Sequence, residues 1–133
     1  MNSNVILFAI FFHVCWVVFL YVVLTVLRAP SAWGVDTKAR ALRRYAVYEP
    51  KVSANLSNQF EWPMLFYTCC LLIIHSNSAD GFQSVLAWLF VVGRVIHSAV
   101  QIFTNDIRLR GAVFTINFVA VLIMWIRLVL IVV

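Results

Sequence analysis

The chain has 133 residues, is 64% hydrophobic and only 11% charged, and has a mean hydropathy of +0.97. A soluble domain is ordinarily about a quarter charged, so this composition excludes a water-soluble globule and describes a single-domain integral membrane protein. The net charge of +5 does not argue for a nucleic-acid partner, because six of the ten basic residues fall between positions 28 and 51, the pattern of a loop lying against lipid headgroups.

The first apolar run, residues 5–27, carries no formal charge and makes roughly 34 Å of helix, enough to cross a bilayer. It lacks a basic leading segment and a small-residue cleavage site, so it reads as a retained transmembrane helix and not as a signal peptide. His13 within it reads as a neutral imidazole bonded to a neighbouring carbonyl. The following segment is the one soluble-looking piece. Pro30 and Gly34 are expected to interrupt the helix, and Lys38, Arg40, Arg43 and Arg44 are spaced for a short interfacial helix ending before Pro50. Arg28, at the end of the first span, is placed either to anchor at the interface or to reach between helices.

The second run, about 56–76, opens on Asn55-Leu-Ser-Asn58-Gln-Phe-Glu61-Trp-Pro63. The spacing predicts Asn58 and Glu61 on one face of the entering helix, with a kink at Pro63. Glu61 is the one carboxylate expected within a span. An unpaired carboxylate in hydrocarbon neutralises or finds a cation, and Arg94 or Arg110 is the expected partner. A polar turn around Asp80 and Gly81 without Lys or Arg precedes the third run, 82–103.

That third run carries an expensive polar stripe. At about 100° per residue, Arg94, His97, Gln101, Asn105 and Arg108 fall within a band of roughly 60° on one helix face, with Val95, Ile96, Ala99, Val100, Ile102 and Phe103 around the rest. Arg94 alone reads equally as a packing element neutralised by a carboxylate. Five polar positions exceed what one ion pair needs and call for a protein-lined cavity. The connection from Asn105 to Gly111 leads to a fourth run, 112–133. Arg110, Phe114 and Asn117 share a face there, so Arg110 can point at the same cavity, and Arg127 snorkels to the interface. Basic residues in the first and third connections, and none in the second, put both termini outside and the basic loops in the cytoplasm. Cys15, Cys69 and Cys70 lie in apolar runs without a C-x-x-C, so they read as buried small apolar side chains and no metal site is expected.

Asn58-x-x-Glu61 opening the second span, Gly93-Arg94-x-x-His97 in the third and Arg110 thirteen residues further on resemble the MAPEG family, the membrane-associated proteins of eicosanoid and glutathione metabolism. The likeness runs over essentially the whole chain, and the form Asn-Gln-Phe-Glu-x-Pro is similar to its bacterial-type branch. The resemblance implies an all-α, four-helix transmembrane bundle assembling as a homotrimer in a bacterial inner membrane, with glutathione held between helices of adjacent subunits near the cytoplasmic face. By position it implies that Asn58, Glu61, Arg94, His97 and Gln101 bind the tripeptide. Arg110 then stands near the thiol as the catalytic cation, promoting thiolate attack on a lipophilic substrate dissolved among membrane lipid. Four positions depart from the enzymes of the family: Ser57 replaces an Arg, Gln101 and Phe114 replace Tyr, and Gly111 replaces a Ser. Ser57, Phe114 and Gly111 favour the alternative of a non-catalytic lipid-binding or scaffolding protein on the same fold. A small four-span drug exporter is the third reading, but it requires a carboxylate deep in the first helix, and residues 5–27 have none.

Overall fold

The computed structural model describes residues 2–32 and 45–132. These form α1 (Asn2–Ala32), α2 (Glu49–Asn58), α3 (Trp62–His75), α4 (Gly81–Phe103) and α5 (Ile107–Val132), with no strand among the described residues. Three of them, α1, α4 and α5, are long and apolar enough to cross a membrane. The second apolar run is instead divided into α2 and α3. The fold is the expected all-α four-helix membrane bundle, with one of its four runs broken in two.

The break lies at 59–61. Pro63 has no N–H to bond back to residue 59, so it sits in the first turn of α3, where that donor is not needed. The chain closes α2 with tight turns, Gln59 N–H to Leu56 O and Phe60 N–H to Ser57 O, both 3.0 Å. Glu61 is the N-cap of α3, yet its side chain makes no capping bond. Asn58 and Glu61 are therefore not on one face of one helix, as their spacing predicts; they end one helix and begin the next.

The third and fourth runs meet differently from the expectation as well. Helix α4 ends at Phe103, and Asp106 starts α5 by accepting from the backbone N–H of Arg108 (2.9 Å) and Leu109 (3.0 Å). The polar stripe on α4 thus stops at Gln101. Asn105 lies in the connection, and Arg108 belongs to α5. At the other end of α4, Asp80 caps the helix through Gln83 N–H (2.7 Å) and pairs with Arg127 of α5, whose guanidinium also lies over Phe82.

Along the bundle axis, two apolar clusters enclose a polar layer. One cluster joins Ile6 and Ala9 of α1, Phe66 and Ile73 of α3, Phe90 of α4 and Met124 of α5. The other joins Leu20, Leu24, Val52, Leu56 and Ile102. The remaining sides of α1 and α5 leave Phe8, Phe11, Val22, Ile126 and Leu130 exposed, as helices facing lipid do. Cys69 and Cys70 are buried as expected, but Cys15 is exposed: it sits two residues beyond buried His13, about 200° round the helix. His13 bonds the Tyr67 hydroxyl and not a carbonyl. Pro30 lies inside the last turn of α1 without ending it. Arg28 pairs with Glu49 (2.7 Å) and bonds Ser53 (3.0 Å), away from the bundle interior. Gly34 and the expected interfacial helix with Lys38, Arg40, Arg43 and Arg44 lie outside the described residues.

Gly93 permits the close approach of α4 and α5, since a Cβ there would stand 1.8 Å from Asn117 Oδ1, a fully buried side chain. Gly93→Ala is expected to cost about 1–3 kcal/mol by overpacking, read as a lowered melting temperature in detergent. Adding Asn117→Ala recovers part of the loss, because it removes the obstructing atoms. Burial pushes the Asp80 carboxyl up, but the Gln83 and Phe82 N–H groups and Arg127 together hold it below its usual 3.8. A carboxyl depressed on folding contributes stability above its unfolded pKa, and loses it as pH falls from there through the folded value. Acid titration of the melting temperature should therefore show a decline below about pH 4 that is reduced in Asp80→Asn.

Candidate functional site

Arg94 is 1% exposed, the largest fully buried side chain among the described residues. A buried guanidinium needs acceptors, and the break at 59–61 provides them. Arg94 Nε and one terminal nitrogen both donate to Gln59 Oε1, at 3.1 and 3.0 Å. The same terminal nitrogen donates to the backbone carbonyl of Asn58 at 2.8 Å. That carbonyl is one of those left free at the C-terminal end of α2, the negative end of the helix dipole.

A chain of amides supports this arrangement. Gln59 Nε2 donates to Asn55 Oδ1 (3.3 Å) and Ser98 Oγ (3.2 Å). Asn55 Nδ2 and Asn58 Nδ2 both donate to Gln101 Oε1, at 2.9 and 3.2 Å. Ser98 Oγ donates to Arg94 O (2.9 Å) and accepts from Trp16 Nε1 (3.2 Å), which brings α1 into the layer.

Beside this layer lies a cleft of about 530 Å³ lined by Asn58, Glu61, Trp62, Arg94, His97, Ile107, Arg110, Gly111 and Phe114. The volume falls in the range of small-molecule sites, about 300–1,000 Å³. Five of the six residues predicted from the sequence, Asn58, Glu61, Arg94, His97 and Arg110, thus line one cavity. Gln101 does not. It lines an adjoining cleft of about 440 Å³ with Lys51, Asn105 and Asp106, and Arg110 lies on the wall of both. Gln101 acts from behind, holding the Asn58 amide by its carbonyl oxygen.

The charge pattern is uneven. Glu61 is close enough to Arg94 to act on it electrostatically, but no ion pair joins it to Arg94 or Arg110 among the described residues. The expected ion pair is replaced by the neutral partners Gln59 and Asn58, because the helix break puts these within reach of Arg94 first. Two guanidiniums therefore face one carboxylate. Arg110 also stands in the first turns of α5, where the positive end of the helix dipole adds to its field. His97 Nδ1 and Trp62 Nε1 are buried without a hydrogen-bond partner at the wall. The cleft suits a ligand that carries more than one negative group together with a cation for Glu61. One wall, Trp62, Ile107 and Phe114, is apolar, and Trp62 stacks on Phe118 at 4.5 Å.

Sequence reasoning missed Gln59, Asn55 and Ser98. The amides at 55 and 59 are one helical turn apart and so share a face, a signal of the same kind as the α4 stripe. Trp62, next to Glu61, gave no polar signal at all.

With this geometry in view, comparison with known protein families is decisive on one point. The MAPEG family profile matches residues 6–130. The chain belongs to the MAPEG family, a family of membrane proteins. Comparisons with curated proteins and with solved structures find no match.

The amide layer yields a direct test. Gln101→Leu leaves the Asn55 and Asn58 N–H groups without an acceptor and should cost about 1–3 kcal/mol. Gln101→Glu keeps the acceptor and should cost clearly less, both measured by thermal unfolding in the same detergent.

Proposed function

We propose that this protein binds glutathione in the cleft between α2, α3, α4 and α5, and uses its thiolate on lipophilic substrates, as a membrane-bound transferase or peroxidase. The observation that carries this reading is the convergence of Arg94, Arg110 and Glu61 on one cavity of suitable size. Glutathione at neutral pH has two carboxylates and one ammonium, so two cations and one anion on the wall match it group for group. Asn58 offers an amide to its peptide backbone.

The nucleophile comes from the ligand and not from the chain, since the lining residues include no hydroxyl or thiol. What the protein must supply is stabilisation of the thiolate. Arg110 is suited to that: a guanidinium beside a thiol lowers its pKa and raises the thiolate fraction. The thiolate then forms a C–S bond with an electrophilic carbon as the leaving group departs with its electron pair. A second reading, a non-catalytic lipid-binding or scaffolding role, draws on Gly111 and Phe114, which offer the reacting sulfur no hydrogen bond. In either case we place the basic connections in the cytoplasm and both termini outside, in a bacterial inner membrane, with the subunits forming a homotrimer.

Calorimetry of glutathione against the detergent-solubilised protein should show binding, weakened by about tenfold or more in Glu61→Ala and in Arg110→Ala. Arg110→Ala should also abolish conjugation of a lipophilic aryl halide. Binding without turnover in the intact protein favours the scaffold reading, and no binding by folded protein removes glutathione as the ligand.

A further inference from the structure

A buried arginine inside a membrane bundle is ordinarily neutralised by a carboxylate. Arg94 is not. Both hydrogen-bond acceptors that the structure gives it, Gln59 Oε1 and Asn58 O, are neutral. Gln59 is itself 1% exposed, and its orientation is determined by its other end. Because Nε2 donates to Ser98 Oγ and Asn55 Oδ1, the oxygen has to be the atom turned to Arg94. Two donors of Arg94 thus converge on the one amide oxygen, as they could on one oxygen of a carboxylate, but without its charge.

We infer that Gln59 is a specificity-determining residue: by holding Arg94 through a neutral amide, it leaves the guanidinium's positive charge to an anionic group of the ligand in the cleft. The inference deepens the glutathione reading and rests on the same cavity. Gln59 does not line the cleft and touches no ligand; it acts through Arg94 and is a positioning residue. The consequence is electrostatic. With Gln59 the cleft has two guanidiniums against Glu61, a surplus of one positive charge. A carboxylate at position 59 would cancel that surplus in a low-dielectric setting, where a charge within hydrogen-bond distance acts far more strongly than in water. It would do so with almost no change of shape.

The test is Gln59→Glu, with three probes measured by calorimetry on the full chain in detergent: glutathione, its diethyl ester with both carboxylates masked, and glutarate as a bare dicarboxylate. The wild type should prefer glutathione to the diester. In Gln59→Glu, glutathione and glutarate should each bind about tenfold or more weakly, while diester affinity stays nearly constant, so that the preference collapses. A merely structural role for Gln59 would weaken all three probes alike, and that result overturns the inference. Unchanged anion affinity in folded Gln59→Glu also overturns it, while leaving the glutathione reading intact. If the wild type takes glutarate but not glutathione, the glutathione reading fails and the glutarate comparison alone decides on Gln59. Binding of neither anion by the wild type overturns both. Should Gln59→Glu not fold, Asn55→Asp places the charge on the amide bonded to Gln59 and is held to the same criterion.

Discussion

A guanidinium buried among membrane helices has to be hydrogen-bonded from within the protein, because hydrocarbon offers it nothing. In this bundle the requirement on Arg94 and the interruption of the second apolar run meet each other's needs. A continuous helix from 49 to 75 would keep the carbonyl of Asn58 inside its own ladder. Ending α2 at Asn58 frees that carbonyl, turns the negative end of the helix dipole toward the cation, and brings Gln59 round to face it. The polar layer is consequently not a decoration on a finished apolar bundle. It fixes which helix faces meet beside the break and where a cleft remains.

The guanidinium of Arg94 bonds the Gln59 amide and the Asn58 backbone carbonyl, and this choice of neutral partners has a structural logic. Asn55 and Gln59 each use one end of the amide to receive and the other to give, Asn58 gives and Gln101 receives, so one short chain of bonds ties α2 to α4, with Ser98 and Trp16 extending it to α1. Such groups can be satisfied internally without burying further charge. Apolar clusters flank the layer along the bundle, and its remaining side opens on the cleft through Asn58 and Arg94. Gly93 and Asn117 add a second close contact, at which α5 comes near enough to α4 for Arg110 and Phe114 to share a cavity with His97.

Much of this is legible in the sequence. The apolar runs are long enough that helix is the one structure able to satisfy their backbone in lipid, and polar residues inside such runs stand out because each is costly. Arg94, His97, Glu61, Asn58 and Arg110 were identifiable on that ground, and all five line the same cleft. Sequence and structure part where a local rule runs past the end of an element. The stripe extended to Asn105 and Arg108 on the assumption of one continuous helix, whereas Asp106, an N-cap of ordinary type, starts a new one. The face shared by Asn58 and Glu61 requires one helix kinked at Pro63, whereas the chain breaks at 59–61, two to four residues earlier.

Composition and spacing by themselves determined that this is a membrane bundle of four apolar runs with a polar centre, since hydropathy and helical period are properties of the chain alone. The tertiary structure decided which polar groups satisfy one another and which remain turned to the cleft. Gln59 and Glu61 are two residues apart and equally polar in sequence, yet one is buried against Arg94 and the other stands exposed at the wall. No periodicity separates them, because the difference comes from the backbone turn between two helices and from the cation that a third helix brings to it.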